Sequence, residues 1–296
     1  MTKTVEEYLD ALKGELKGSD NATIQDALAD AEEHLSTALE SLREGQPELD
    51  EADALQQIIE QYGTPGETAA AYLEVERRTF PGLTPATIKK QGSSLGRFFG
   101  IYIDPRAWGS LLYMLIAFLT GIVYFTWAVT GLSLSVSFSI FIFGLPVALL
   151  FLLSVRGVAW LEGRLVEALL GVRMPRRQLF APQNTKLLER IKVLVLDKHT
   201  WLSILYMLIQ FVLGTAYFVI LVTVFSFCLS GLAIPFVQEI FHQPTVYMND
   251  LRYFLPTWSY PLVILAGVIL WTSTMHLVKL AGSLHGRYAK ALLVTS

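Results

Sequence analysis

One cysteine, Cys228, stands in a chain of 296 residues. That excludes an internal disulfide framework and any zinc or iron–sulfur site built from cysteines. Charge is sparse, at 17% of residues, and is missing from three long stretches. Ala107–Val155, Thr200–Gln238 and Tyr253–Met275 contain no Asp, Glu, Lys, Arg or His. The five histidines (His34, His199, His242, His276, His285) are scattered and show no metal-ligand spacing. Glu32-Glu33-His34 reads as a solvated helix face rather than a metal site. No phosphate loop, dinucleotide fingerprint or nucleophile elbow occurs. The N-terminus is acidic, not basic ahead of an apolar run, so no cleavable signal is expected. With no catalytic constellation, no cofactor and no metal expected, the reading is non-enzymatic.

What is present divides the chain in two. Residues 1–78 carry 19 acids against six bases, a net of −13, and residues 79–296 carry seven acids against 17 bases, a net of +10. The second part holds the apolar runs, and the whole chain has a mean hydropathy of +0.46. A bilayer core about 30 Å thick needs about 20 helical residues per crossing. The runs therefore predict four crossings, near 110–130, 135–155, 202–224 and 259–279, with Gly131 and the serines after it forming the first turn. Sixteen of the 17 bases in this part flank the crossings on one side, and Arg252 alone lies on the other. By the positive-inside rule the termini and the middle loop face the cytoplasm, which implies a multi-pass membrane protein.

An internal repeat sets the architecture. Asp104–Phe125 and Asp197–Phe218, at an offset of 93, match at 12 of 22 positions, including Trp108/Trp201, Tyr113/Tyr206, Gly121/Gly214 and Tyr124/Tyr217. Gly163-Arg164 matches Gly286-Arg287 at an offset of 123, so the second unit has about 30 extra residues between its helices. The fold class is all-α: a small cytosolic helical domain plus a four-helix transmembrane bundle of two tandem hairpin repeats. Both units are expected to start inside, related by an axis along the membrane normal.

The transmembrane runs lack mid-depth charges, which disfavours an ion-coupled pump. Gln210 is read as interhelical glue, and the Ala117/Gly121 and Gly214 positions as close-packing sites. After each second helix comes an amphipathic tail. Arg164, Arg173, Arg176 and Arg177 are candidate contacts to inner-leaflet lipids, the alternative being that these tails extend the helices and pack on each other. An outer loop, 226–258, is aromatic and proline-punctuated, and Phe236, Glu239, His242, Arg252 and Trp258 are its candidate ligand contacts.

Residues 1–78 predict four short helices. Thr4 with Glu7 forms a capping box, Asn21 onward is a longer helix stopped at Gly45, Pro47 opens a third, and Thr64-Pro65 opens a fourth. Residues 79–105 are expected to form a basic, flexible linker containing Pro81, Gly82, Pro85 and Gly92, ahead of the membrane domain at 106–296. The acidic domain cannot hold nucleic acid directly, so its partner is expected to be a basic cytosolic protein. The small-residue helix faces are compatible with a homodimer.

Two resemblances follow. Tyr8-Leu9-x-x-Leu12, the Asp30–His34 run, Glu44-Gly45 and Tyr62-Gly63-Thr64-Pro65-Gly66-Glu67-x-Ala69 resemble the HAAS-type helical signalling domain, which usually shows Leu-Gly-x-Pro-Glu at the last motif. Leu112-Tyr113, Gly121-x-x-Tyr124-Phe125, Gly144-Leu145-Pro146 and Glu162-x-Arg164 with Ala168-Leu169-Leu170-Gly171-Val172 resemble the four-helix sensor domain of some bacterial histidine kinases and free-standing membrane proteins. The resemblance implies an inner-membrane signalling component, often encoded with a PadR-type regulator, and supplies no catalytic residue. The expected function is a sensor that relays an envelope condition to a cytosolic partner, which the resemblance implies is a transcriptional regulator or a kinase bound through residues 1–78. The alternatives are an accessory subunit of a lipid or peptide transporter, or a lipid enzyme, which lacks a catalytic set.

Overall fold

A computed structural model describes residues 4–45, 50–79, 93–138, 144–176, 194–242, 246–248 and 251–294, with the isolated positions 192 and 244. The first four helices are α1 (Val5–Glu15), α2 (Asn21–Gly45), α3 (Glu51–Tyr62) and α4 (Pro65–Thr79). Thr4 caps α1 by accepting the Glu7 backbone N–H at 3.2 Å. Asp20 does the same for α2 through the Ala22 N–H at 2.9 Å. Tyr8, Leu12, Leu16, Ala27, Ala31, Leu35, Leu55 and Ile58 form one core. Tyr8 ties the α3–α4 turn into it, its hydroxyl donating to the Gly63 carbonyl at 2.9 Å and lying 3.0 Å from Thr68 Oγ1. Burial pushes that phenol above its ordinary value, so it stays a neutral donor. At the start of α4 the Glu67 carboxylate accepts the Thr64 backbone N–H at 2.9 Å and its hydroxyl at 2.8 Å.

The end of the segment expected as flexible linker is instead folded: the membrane half begins with a one-and-a-half-turn helix, α5 (Ser94–Phe99), and a 3-10 turn over Gly100–Ile103. Four long helices follow: α6 (Pro105–Phe138), α7 (Gly144–Leu170), α8 (Lys198–Phe241) and α9 (Tyr260–Leu293). All four contain segments long and apolar enough to cross a membrane. Between α8 and α9 lies a three-residue antiparallel ladder, β1 (Val246–Met248) with β2 (Leu251–Tyr253).

Two expectations about the helix ends are corrected. Gly131 is helical, not a turn, because a Cβ there would enter the space of the Phe151 ring; its bareness serves α6–α7 packing. Residues 226–241, expected in a loop, continue α8 through Pro235. Near them the bare faces of Gly231 and Gly267 let α8 and α9 run close together, a Gly231 Cβ lying 3.6 Å from Gly267 Cα.

The two first helices meet where the repeat places its small residues: Ala117 meets Gly214 and Gly121 meets Gln210. Ala117 is equivalent to Gln210 and Gly121 to Gly214, so these are one contact made twice, as a two-fold relation between the units gives. The crossing is set where glycines let two backbones approach. A Cβ on Gly121 would lie 2.8 Å from the Gln210 carbonyl oxygen and 2.9 Å from Phe211 Cα, and one on Gly214 would collide with the Ala117 carbonyl. Stacked rings flank the crossing, Phe118–Phe218 at 4.3 Å and Phe125–Phe211 at 4.8 Å.

Two outcomes follow from these contacts. Gly121→Val overpacks the crossing and is expected to destabilise the protein by about 1–3 kcal/mol, read as a lower unfolding midpoint in detergent. Gly157→Ala, with nothing within 4 Å of its Cβ, leaves that midpoint unchanged or raised. The Thr64 bonds hold the Glu67 carboxyl below its usual range, so its contribution is present above the unfolded value of about 4.3 and fades as pH falls through the lowered folded value. Hydrogen exchange over 64–79 should therefore separate wild type from Glu67→Gln near neutrality and converge in acid.

Candidate functional site

Polar side chains from all four long helices meet inside the bundle. Tyr113 and Tyr124 come from α6, Glu162 from α7, Tyr206, Gln210 and Tyr217 from α8, and His285 from α9. Glu162, Tyr113, Tyr206, Gln210 and His285 are buried. The Glu162 carboxylate accepts four donors. Tyr113 Oη donates to Oε1 at 2.5 Å and Tyr206 Oη at 2.7 Å, with Gln210 Nε2 at 3.5 Å. Tyr124 Oη donates to Oε2 at 3.0 Å. Helical side chains lean toward their own N-terminus, which lets Tyr124 reach back to the carboxylate. A carboxylate placed here without such donors would carry a large desolvation cost.

Counting protons assigns the histidine. Tyr113 and Tyr206 each have one hydroxyl proton, and both are given to Glu162, so their oxygens are free to accept. His285 Nε2 lies 2.7 Å from Tyr113 Oη and 3.1 Å from Tyr206 Oη, and donates there. Its Nδ1 is 3.1 Å from Tyr217 Oη. A neutral imidazole accepts the Tyr217 proton at Nδ1, and an imidazolium donates its own; both satisfy the same heavy atoms. Chemically the arrangement can hold a buried carboxylate.

The site straddles the repeat. Tyr113 and Tyr206 are equivalent positions, as are Tyr124 and Tyr217, and Glu162 and His285 share the offset of 123. Two ion pairs obey the same equivalence and cross between units: Lys279 with Asp104 at 2.5 Å, and Arg156 with Asp197 at 2.6 Å. Burial alone would raise the Asp104 carboxyl, but the Lys279 bond, the Arg106 N–H and the two cations hold it below its usual value.

Below the cluster the chain folds back on α7. Arg164 Nη2 donates to the Met174 and Pro175 carbonyls at 2.9 and 2.5 Å, and its guanidinium pairs with Glu167. This presents Arg173 and Arg176 to the acidic domain. Asp26 Oδ1 accepts the Arg176 backbone N–H at 2.6 Å, Arg173 Nη2 lies 3.6 Å from Asp26 Oδ2, and Lys290 at the end of α9 pairs with Asp20.

Of the candidate lipid contacts, Arg164 and Arg173 are therefore turned to protein partners, Arg176 keeps its side chain half exposed, and Arg177 lies outside the described residues. Of the candidate outer contacts, Phe236 and Glu239 are exposed on the last turns of α8 and His242 caps it in a left-handed conformation. Trp258 is exposed in a 3-10 turn, and the side chain of Arg252 is outside the described set. Among the described residues these do not converge. The organiser of that end is Gln238, whose amide donates to the Leu255 carbonyl at 2.7 Å and accepts the Leu255 N–H at 2.9 Å. Sequence reasoning missed the Glu162–His285 pair. The signal was there: each immediately precedes a Gly-Arg of the repeat.

Among family models, one described as "Putative sensor" matches residues 113–293 and one described as HAAS matches residues 7–71. No curated protein and no solved structure matches the chain.

The shared carboxylate makes the cluster cooperative. Tyr113→Phe and Tyr206→Phe each remove one donor, at about 1–3 kcal/mol. In a double-mutant cycle with Glu162→Gln they should couple by about 0.5–3 kcal/mol, measured by chemical unfolding in detergent.

Proposed function

The chain belongs to the Putative sensor family and carries a HAAS domain ahead of it; from that premise we propose that it is a non-enzymatic inner-membrane signalling protein. Its membrane half registers an envelope condition, and its acidic domain passes that state to a cytosolic partner, a transcriptional regulator or a kinase. The termini face the cytoplasm, in keeping with the basic residues that flank the crossings on one side.

One observation carries the reading. The acidic domain is seated on the membrane half through Asp26 with Arg173 and Arg176, and through Asp20 with Lys290. Arg173 and Arg176 follow directly on α7, which holds Glu162, and Lys290 lies on α9 just beyond His285. A rearrangement of the cluster shifts those helix ends, and with them the basic groups that hold the domain. A change inside the bundle thus alters how much of the acidic surface is available to a partner.

The test is photo-crosslinking in intact cells from probes within residues 24–62, comparing the full chain with a variant lacking 243–256. Capture of a cytosolic regulator or kinase, at a yield altered by the deletion, is the expected result. Capture of transporter subunits alone, indifferent to the deletion, would replace the reading with that of an accessory subunit. A second outcome concerns the seat. Arg173→Asp should speed hydrogen exchange over residues 20–30 and raise the crosslink yield. Asp26→Arg in the same chain restores the ion pair but not the acceptor for the Arg176 N–H, so it should reverse both in part.

A further inference from the structure

The short helix α5 and the 3-10 turn after it are clamped sideways onto α9. Phe98 stacks on His276 at 5.6 Å, and its carbonyl accepts the His276 Nε2 proton at 2.9 Å. Tyr102 Oη lies 2.8 Å from Thr272 Oγ1, and Asp104 holds Lys279. Trp108 Nε1 donates back to the Tyr102 carbonyl at 2.9 Å. The clamp leaves an open cleft of about 550 Å³, lined by Ser94, Arg97, Phe98, Ser273, His276 and Leu277.

Its surroundings are those of a membrane–water boundary. Ile103 is 88% exposed, Leu95 68% and Leu277 64%, although each is a large aliphatic side chain. On α9 an exposed apolar row, Leu270, Ile269, Leu265 and Leu262, runs away from the cleft along the crossing segment. Arg97 stands at the mouth, one helical turn from Ser94, with its side chain exposed. We infer that this cleft binds one anionic phospholipid, its phosphate on Arg97 and Ser94 and one acyl chain against Phe98 and Leu277, continuing along the apolar row. An arginine fork matches a phosphate, and a chain laid on exposed aliphatics removes apolar surface from water. The rival occupant is the preceding stretch of the same chain, residues 80–92. That stretch contains Lys89 and Lys90 and no acid, so Arg97 repels it and favours the lipid.

The test uses the full chain in detergent micelles doped with phosphatidylglycerol or with phosphatidylcholine, with retained lipid counted by native mass spectrometry. Wild type is expected to retain one phosphatidylglycerol more than phosphatidylcholine. Arg97→Gln should lower that retention about fivefold, the factor one basic residue contributes at a membrane surface. Ser273→Phe, which fills the cleft and keeps the charge, should lower it as well. Equal retention of the two lipids, retention unchanged in both variants, or displacement of the lipid by inorganic phosphate would overturn the assignment. So would retention that appears only after residues 80–90 are removed, since the linker would then be the occupant.

Discussion

The Glu162 carboxylate is buried and must find its hydrogen-bond donors within the chain, and the four long helices meet around that need. Its two oxygens take phenol protons from α6 and α8 and an amide proton from α8, and those same phenol oxygens hold the histidine of α9. Four helices are thereby fixed at one point by directional bonds. In a bilayer this matters more than in water, because apolar packing alone gives helices little preference for one another over lipid. The glycine crossing brings the α6 and α8 backbones close, and the carboxylate then selects one rotation of each helix among the many that close packing would allow.

Much of this was legible in the sequence. The uncharged runs gave four membrane-length helices because length and composition alone decide that question. The twelve matched positions of Asp104–Phe125 and Asp197–Phe218 announced two units, and Gly121 and Gly214 announced a close approach. The HAAS and sensor resemblances stood on residues that the family matches cover, Leu112 alone lying just outside. What stayed hidden has a common cause. Glu162 and His285 lie in amphipathic stretches beyond the uncharged runs, where a lone ionisable residue looks like part of a polar face. Tyrosines at helical spacing look like an interfacial belt, since nothing in the spacing says that four hydroxyls converge. Gly131 resembled a turn because glycine marks both turns and tight packing, and only the Phe151 ring tells them apart.

The soluble and membrane halves are joined by opposites. A domain with a net charge of −13 would drift from an anionic membrane surface. Here it is held by cations placed where α7 and α9 end. Arg173 and Lys290 come from different units, so the seat of the acidic domain reports on both hairpins at once. The two contacts differ in exposure: Arg173 and Asp26 are largely buried, whereas Lys290 and Asp20 stay partly open to water. The attachment is thus divided between a shielded pair and one that solvent screens.

The Asp–cation pairs and the paired tyrosines obey the repeat, yet one equivalent position holds an acid and its twin an imidazole. Two identical chains associating through this surface would have faced carboxylate with carboxylate, two like charges in one buried space, or imidazole with imidazole, with no carboxylate for the phenols to answer. Covalent fusion of the halves removes that constraint. Once joined, the units could diverge at a single site, and a symmetric scaffold came to enclose a polarised centre, acid on one flank and base on the other, that no homodimer of the half could build.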